Sequence, residues 1–207
     1  MRSDARQNRK RILDATAGLV LEVGGEPSRD AVAERAAVGI GTVYRHFPDR
    51  QSLLHATARH VLVRTIEAGE SIVSDVDSAD ALGEYMHAAI DNGIGVVNIL
   101  HPLLDDTDWP DLQARAGSLM TALIERNRRD HPDRTDLSVG DIAFATIRFG
   151  RPLAIGLPPD EDRAIAHGQL ARYIDGLHSR IDTTTRTATR ATTRTPPLRR
   201  PGEQTPT

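Results

Sequence analysis

Apolar residues in this 207-residue chain recur at the spacing of one face of an α-helix, and this periodicity restricts the fold more than any other feature. The glycine pair Gly24-Gly25 follows a first such set, which comprises Ile12, Leu13, Thr16, Leu19, Val20 and Val23. The spacing predicts an amphipathic helix that ends at the glycine pair. Signals for β-strands are missing, because aromatic residues make up only 3% of the chain and no segment alternates apolar and polar side chains. We therefore expect an all-α protein.

Residues that favour helix starts divide the rest of the chain. Ser28, Asp49 and Ser78 each precede an apolar periodic segment, and their side-chain oxygens are suited to accept hydrogen bonds from free backbone N–H groups. Proline is tolerated in a first helical turn, so Trp109-Pro110 opens a further helix. After the first helix we expect a short helix that begins at 28 and another at 41–47. A long helix follows Asp49 and ends at the polar stretch 74–80, and the next runs from 78 to about 100. The last three are expected to begin at 110 and to span 138–156 and 160–181.

Composition excludes several classes of protein. Cysteine is absent, which excludes disulfide bonds, thiol nucleophiles and zinc sites with cysteine ligands. The first ten residues are charged and lack an apolar stretch, so we expect no signal peptide. No run of about 20 apolar residues is present to span a membrane. These features favour a soluble, cytoplasmic protein.

The formal net charge of −3 is unevenly distributed along the chain. Residues 1–60 carry ten basic and seven acidic side chains, whereas residues 61–182 carry eleven and twenty-one. The segment 183–207 is rich in Thr, Arg and Pro and has a single large apolar residue, so we expect a disordered tail. A basic amino-terminal unit beside an acidic middle makes a polyanion one candidate partner of the basic end.

The segment 28–47 has the sequence SRDAVAERAAVGIGTVYRHF and is typical of two short helices joined by a tight turn. Small apolar residues on the first helix allow a second helix to cross closely. The second helix is expected to place Val43 and Phe47 inward, and Thr42 and Tyr44 largely outward with the basic residues that follow. Such an arrangement allows a helix to enter the major groove of DNA and present side chains to base edges and phosphates.

The longer segment 31–54, AVAERAAVGIGTVYRHFPDRQSLL, resembles the DNA-binding domain of the TetR family of transcriptional regulators. The resemblance extends over roughly residues 5–55 and includes the first apolar helix. Two positions depart from the family pattern. Ala37 stands where glycine is usual, and Gly39 stands where serine or threonine caps the recognition helix. Glycine is a tolerable N-cap, so we expect that helix to form with a slightly weaker start.

The resemblance implies DNA-contacting roles for individual residues. The recognition helix corresponds to residues 40–47, and Thr42, Tyr44 and Arg50 match phosphate-contacting positions. Ser28 and Arg29 match a further phosphate or base contact. Base edges are expected to meet Gly39, Ile40, Arg45 and His46, of which Arg45 has the fork of donors suited to guanine. For Arg45 and His46 the alternative is an ordinary solvated helix face. The basic residues near the amino terminus either cross a phosphate backbone or a minor groove, or make contacts along their own helix with Asp14.

The resemblance also implies three regions: a DNA-binding domain at 1–50, a helical effector-binding and dimerisation domain at 51–182, and the tail at 183–207. A homodimer is expected, because a two-fold dimer reads two palindromic half-sites about 34–36 Å apart or a multiple of that distance. The residues expected at a dimer seam between the last two helices are Ile142, Ala143, Ile147, Ile165, Leu170, Ile174 and Leu177. The residues expected around an effector pocket are Met86, His87, Ile90, Leu103, Trp109, Met120, Phe144 and Arg148, for each of which core or surface packing is the alternative.

Glycines inside one expected helix leave two interpretations open. Gly93 and Gly95 weaken the helix locally, which either bends it beside a cavity or permits close packing of another helix.

Other chemistry has little support in the sequence. The aspartates between 105 and 111 lack the glycine and closing glutamate of a calcium loop. Gly39-Ile40-Gly41 lacks the strand and third glycine of a dinucleotide-binding turn, and no serine lies in a GxSxG motif. We therefore expect no cofactor, no metal and no enzymatic activity.

These observations predict a TetR-like transcriptional regulator that binds double-stranded operator DNA, most simply a repressor released by a small molecule. Two alternatives remain open at this point. One is a dimeric DNA-binding regulator without an effector, which a solid core would favour. The other is a helical ligand-binding protein with a vestigial DNA-binding unit.

Overall fold

A computed structural model describes residues 2–132, 137–153 and 156–178, and within these ranges the regular structure is entirely helical. This confirms the all-α fold class. The helices are α1 (Arg2–Val23), α2 (Arg29–Arg35), α3 (Ile40–His46), α4 (Arg50–Ser74), α5 (Ala81–Asp91), α6 (Gly95–Leu100), α7 (Pro110–Asp130), α8 (Val139–Phe149) and α9 (Pro159–His178), with a 3₁₀ turn at His101–Leu103. The expected tail at 183–207 lies outside the described residues. No helix in the described ranges is long and apolar enough to cross a membrane.

Two of the expected helix caps are present. The Ser28 hydroxyl accepts a hydrogen bond from the Ala31 N–H at 3.2 Å. The Asp49 carboxylate accepts from the Ser52 N–H at 2.6 Å, and the Asp49 N–H donates to the Ser52 hydroxyl oxygen, which completes a reciprocal capping box. These caps fix where α2 and α4 begin.

The prediction of one helix from 78 to about 100 is wrong at both its start and its middle. Asp80, not Ser78, is the N-cap, because its carboxylate accepts from the Gly83 N–H at 3.1 Å. The helix then breaks at Gly93, whose φ of +78° is a conformation that glycine adopts without steric cost. The chain therefore forms two shorter helices, α5 and α6, at an angle set by this break.

The helix expected at 138–156 is also shorter than predicted. α8 ends at Phe149, and Pro152 follows the Gly150 cap by two residues. Proline lacks the N–H that a continuing helix needs, which is consistent with the early end. α9 begins at Pro159, one residue before the expected start.

Buried apolar residues form three clusters. The amino-terminal core joins α1, α2 and α3 to the start of α4 and is centred on Ile12, Val32, Val43 and Phe47. The bundle core joins α4, α5, α7, α8 and α9 and includes Ile66, Met86, Leu123, Ile142 and Leu170. Between them lies the junction core, which contains Ala17, Val20, Leu54, Ala58, Val61, Val96, Ile99 and Leu100. Because α1, α4 and α6 share the junction core, the position of α1 depends on how α6 is held in the bundle.

Candidate nucleic-acid interface

The helices α2 and α3 pack against α1 as a helix-turn-helix. Val32, Ala33 and Ala36 of this unit are buried, and so are Val43 and Phe47 on the inner side of α3. The inward positions of Val43 and Phe47 agree with the spacing in the sequence. This packing leaves the opposite side of α3 at the surface.

The turn between α2 and α3 contains an unusual backbone conformation. Ala37 has a φ of +51°, in the left-handed region where a Cβ atom crowds the backbone. A guanidinium nitrogen of Arg11 on α1 donates to the Ala37 carbonyl oxygen at 3.0 Å. Ala37 therefore adopts the left-handed conformation although it is not a glycine, and the hydrogen bond from Arg11 supports the turn.

The recognition helix α3 starts without a side-chain cap. Gly39 adopts the extended φ and ψ values of an N-cap residue, −68° and 145°, but has no oxygen to accept from the first turn. A Cβ atom at Gly39 would have nothing within 4 Å, so the position is open to solvent. The start of α3 is therefore exposed and uncapped, as the sequence departure predicts.

The outer side of α3 carries exposed residues suited to DNA contact. Tyr44 is 50% exposed and Ile40 is 38% exposed, although both are large hydrophobic residues. Arg45 is exposed as well, and its guanidinium lies 3.5 Å from the Thr42 hydroxyl oxygen. A guanidinium on an exposed helix face at the amino-terminal end of the chain is able to reach a guanine edge or a phosphate.

The structure brings the start of α2 next to α3. The guanidinium of Arg29 lies over the ring of Tyr44, 4.6 Å from the ring centre, and also donates to the Pro48 carbonyl oxygen at 3.4 Å. Ser28 is exposed beside it. Ser28, Arg29 and Tyr44 thus form one surface, which combines a cation with hydroxyl groups of the kind that bind phosphate.

Two of the expected DNA-contacting residues are engaged within the protein. A guanidinium nitrogen of Arg50 lies 2.6 Å from a carboxylate oxygen of Glu26. His46 is half-buried, and its Nε2 atom is buried without a hydrogen-bond partner. Burial, followed by the positive charges of Arg45 and Arg9, lowers the pKa of His46, so this ring is neutral near pH 7. Contact of the buried His46 Nε2 atom with DNA therefore requires a local rearrangement, whereas Arg50 is exposed and pairs with Glu26 through its Nε atom alone.

The basic residues near the amino terminus lie on α1, which is helical from Arg2. Lys10 forms an ion pair with Asp14 at 2.7 Å, and the guanidinium of Arg9 lies 5.2 Å from the centre of the Phe47 ring. The contact with Asp14 is the intrahelical alternative that the sequence left open. Arg9 therefore lies beside the residue that follows the end of α3.

The residues expected around an effector pocket are not gathered in one cavity. Met86 and Met120 are buried in the bundle core, whereas Phe144 and Arg148 are exposed on the outer side of α8. His87 is stacked on His167 of α9, with the two Nδ1 atoms 2.7 Å apart. Met86 and Met120 therefore share one core, whereas His87, Phe144 and Arg148 lie outside it.

The other three expected pocket residues lie elsewhere. Ile90 is one wall of a cavity at the end of α1. Leu103 lies in the 3₁₀ turn, and Trp109 packs edge-on against His55 with ring centres 6.1 Å apart. The family resemblance placed these residues on helices around a pocket but did not identify the space that each one borders.

Three of the seven expected dimer-seam residues face the interior of the protomer. Ile142, Leu170 and Ile174 are at most 5% exposed and belong to the bundle core. The other members of the set, Ala143, Ile147, Ile165 and Leu177, are partly buried. The outer side of α8 instead exposes Val139 and Phe144, at 45% and 75%.

The cavity at the end of α1 has a volume of about 360 Å³. Its walls include residues that sequence analysis did not single out, among them Leu21, Phe149, Arg151 and Arg163. Nothing in the sequence marks them, because the α8–α9 connection meets the end of α1 only in the folded chain.

An amino-terminal helix-turn-helix with an exposed, basic recognition helix defines the class as a helix-turn-helix DNA-binding protein. Residues 12–57 match the family model described as bacterial regulatory proteins, tetR family. Over this amino-terminal domain the chain is similar to the TetR family of transcriptional regulators.

Individual relatives agree with this assignment. A 50-residue segment is 52% identical to the transcriptional repressor KstR of Mycolicibacterium smegmatis and covers 24% of each chain, so the match spans about a quarter of the curated relative's length. A TetR transcriptional regulator from Streptomyces coelicolor is 26% identical, with a TM-score of 0.59 over 82% of this chain and 97% of that one. The TetR-like regulator LfrR from Mycobacterium smegmatis, solved in complex with proflavine, is 25% identical, with a TM-score of 0.56 over 80% and 95%.

Proposed function

We propose that the protein is a homodimeric repressor that binds operator DNA in the cytoplasm and is released by a small molecule. The observation that carries the proposal is the exposed side of α3, where Tyr44 and Arg45 stand free of the core and Arg29 joins them from α2. The relative KstR is named as a repressor, which favours repression over activation.

The DNA-binding part is tested by fluorescence anisotropy with the intergenic DNA upstream of the gene, titrated at several salt concentrations against unrelated competitor DNA. We expect tight, competitor-resistant binding that weakens steeply as salt rises, because phosphate contacts release counterions. Arg45→Ala is expected to cost about 1–3 kcal/mol of specific binding. Arg129→Ala is the matched control, since Arg129 is exposed at the far end of α7.

Equal and weak binding to every DNA, unchanged by Arg45→Ala, would contradict specific recognition by α3. That result would favour a ligand-binding protein whose amino-terminal unit no longer reads a sequence. If the wild-type chain bound the upstream DNA selectively and Arg129→Ala abolished this binding as Arg45→Ala does, the DNA contact would instead be assigned to α7.

The dimeric part of the proposal rests on the outer side of α8. Phe144 is 75% exposed, which is unusual for a large aromatic side chain at the surface of a monomer. The seam of a dimer through α8 and α9 is therefore expected to include Val139 and Phe144 in place of the buried Ile142. Phe144→Asp is expected to shift the protein from dimer to monomer in sedimentation velocity, whereas Val76→Asp, at an 88% exposed position in the α4–α5 loop, leaves the dimer intact. Dimers that persist with Phe144→Asp would move the seam to another surface.

The release part is supported by the cavity at the end of α1. An effector-independent regulator would need no internal space, whereas this cavity lies within the size range of small-molecule sites. Its walls include α1 and α6, which share the junction core, so a bound molecule is able to shift α1 relative to the bundle. The bound molecule favours dimers whose recognition helices no longer match the half-site spacing. As the population shifts to these dimers, the operator DNA is released.

A further inference from the structure

The cavity at the end of α1 lies between the DNA-binding unit and the bundle. The last turn of α1 contributes Leu21, Glu22 and Val23, and Ile90 and Ile99 come from α5 and α6. The opposite wall is the end of α8 and the start of α9. This place differs from the interior of the bundle, where Met86, Leu123 and Ile142 are fully buried against one another.

One wall of the cavity is aromatic. Phe149 is half-buried at the end of α8, and its ring is held by Tyr173 of α9, with ring centres 5.4 Å apart. Ile99 and Leu157 add apolar surface on either side. The cavity therefore offers a flat apolar surface for a ligand with a planar or aliphatic body.

The charged residues of the cavity differ in how they are engaged. The Glu22 carboxylate holds the guanidinium of Arg35 through two hydrogen bonds of 2.8 Å, and Asp162 accepts from the Leu153 N–H at 2.9 Å. Arg151 and Arg163 also line the cavity, are exposed, and make no ion pair or hydrogen bond with any other described residue. The acidic groups are thus occupied, and the two guanidiniums have free donors.

The first turn of α9 also bears two further acidic residues, Asp160 and Glu161. Both are exposed, and neither lines the cavity. The charge at the cavity itself is therefore set by the two arginines, the Asp162 carboxylate and the neutralised Glu22–Arg35 pair, which leaves a net positive charge.

We propose that this cavity binds a small organic anion, with its apolar body against Phe149 and its anionic group held by Arg151 and Arg163. Guanidinium groups bind carboxylate, sulfonate and phosphate oxygens through charge-assisted hydrogen bonds, and the apolar walls favour a hydrophobic body over an inorganic anion. This inference deepens the proposed release by an effector, and its regulatory meaning rests on that proposal.

The same cavity is connected to the helix-turn-helix by one ion pair. Glu22 is in the cavity wall, and its partner Arg35 is the last residue of α2. Hydrogen bonds from Arg35 lower the pKa of Glu22, so the pair is charged on both sides at neutral pH. A ligand that displaces the last turn of α1 therefore moves α2, and with it α3.

The test of binding uses two fluorescent probes that share one aromatic body. The first is 8-anilinonaphthalene-1-sulfonate, and the second is N-phenyl-1-naphthylamine, which lacks the sulfonate. We expect the sulfonate probe to bind more tightly to the full chain. The double substitution Arg151→Met and Arg163→Met is expected to weaken the sulfonate probe about tenfold, because two charge-assisted hydrogen bonds are lost, and to leave the neutral probe unchanged. Arg129→Met is the matched control.

Equal affinity for the two probes, or a sulfonate affinity that the double substitution leaves intact, would overturn the assignment of the anion site. The connection to α2 is measured separately by hydrogen–deuterium exchange of residues 22–36 with and without the sulfonate probe. We expect exchange in α2 to change in the wild-type chain and to remain unchanged in the double variant. Exchange that does not respond to bound probe in the wild-type chain would overturn the connection.

Neither measurement contains DNA, so failure of the operator-binding experiment is distinguishable from failure of this inference. With operator DNA present, linkage requires the DNA to weaken the sulfonate probe by the same factor by which the probe weakens the DNA. A probe affinity that saturating operator leaves unchanged would overturn the regulatory role of the cavity.

Discussion

At the scale of single residues, the turn between α2 and α3 holds Ala37 at a φ of +51°. The left-handed region costs an L-residue with a Cβ roughly 1–2 kcal/mol, and glycine avoids that cost but gives the unfolded chain more freedom. We expect Ala37→Gly to raise the free energy of unfolding by roughly 1 kcal/mol, measured by urea denaturation.

The neighbouring residue supplies the control for that substitution. Ala36 is buried and has an ordinary φ of −75°, so Ala36→Gly gains nothing from relief of strain. We expect it to lower stability by roughly 0.5–1 kcal/mol. If both substitutions lowered stability equally, the left-handed conformation at Ala37 would carry no strain.

A second prediction concerns Gly39, the N-cap residue of α3, which has no side chain to cap the first turn. A serine there has room for its side chain and is able to accept a hydrogen bond from the first turn. We expect Gly39→Ser to raise stability by a few tenths of a kcal/mol and to tighten operator binding, since the hydroxyl adds a phosphate donor. Gly39→Ala, which adds a Cβ without the hydroxyl, is the control and is expected to do neither. A Gly39→Ala chain that bound DNA as tightly as Gly39→Ser would exclude the hydroxyl as the cause.

At the scale of elements, the two glycines between α5 and α6 have different roles. Gly93 breaks the helix through its positive φ, whereas Gly95 lets α6 approach α8 closely. A Cβ at Gly95 would overlap the carbonyl group of Gly150. The close packing that the sequence left open is therefore found at Gly95, whereas Gly93 breaks the helix and does not bend it.

Gly95→Ala is expected to lower the free energy of unfolding by about 1–3 kcal/mol, because the added methyl group must push α6 and α8 apart. Operator affinity is expected to fall as well, since α6 contacts α1 through the junction core. Gly117→Ala on α7 is the control: nothing lies within 4 Å of a Cβ there, so the higher helix propensity of alanine is expected to stabilise the chain. Unfolding midpoints that move together in the two variants would show that the α6–α8 contact is not tight.

Helix starts were predictable where one residue and its own backbone determine them, as at Ser28 and Asp49. The break at Gly93 was not, because a glycine inside an apolar periodic segment is compatible with a continuous, bent or broken helix. The start at Asp80 was missed for a related reason. Ser78 and Asp80 are both good capping residues, and packing of the 74–80 segment decides between them, with the carbonyl oxygens of Asp75 and Ser78 accepting from Arg126.

At the scale of the whole molecule, the exposed side of α3 was predictable because the spacing of apolar residues along one short helix separates inward from outward positions. The assignment of apolar residues on α8 and α9 and the position of the cavity were not. An apolar residue on α8 or α9 fits either the bundle core or a partner protomer, and only the position of the neighbouring helices assigns Ile142 to the first. Arg151 has no local signal at all, since it borders the cavity through contacts with the distant α1.

A histidine pair joins α5 to α9 across the bundle. His87 and His167 are stacked with 4.9 Å between ring centres, and His167 also lies 2.9 Å from a carboxylate oxygen of Asp91. The two Nδ1 atoms at 2.7 Å require one donor and one acceptor, so a second proton on both rings breaks the hydrogen bond. Glu84 and Asp175 border the same surface groove.

Because of this pair, the stability of the protein is expected to fall as the pH is lowered below neutrality. Burial and then the charge of His167 lower the pKa of His87 below its ordinary 6.5, against the opposing effect of Asp91 and Asp80. The unfolded chain therefore binds more protons than the folded one in this range, and the stability present above about pH 6.5 is lost as the pH falls through the folded pKa.

Urea denaturation between about pH 7.5 and pH 5.5, where an unperturbed histidine titrates, measures this loss. His87→Gln is expected to make the unfolding midpoint less sensitive to pH, although not insensitive, because the pKa of His46 is lowered in the same direction. His101→Gln, in the exposed 3₁₀ turn, is expected to keep the pH dependence of the wild-type chain. If His87→Gln and His101→Gln gave the same pH dependence as the wild type, the stacked pair would make no contribution to acid sensitivity.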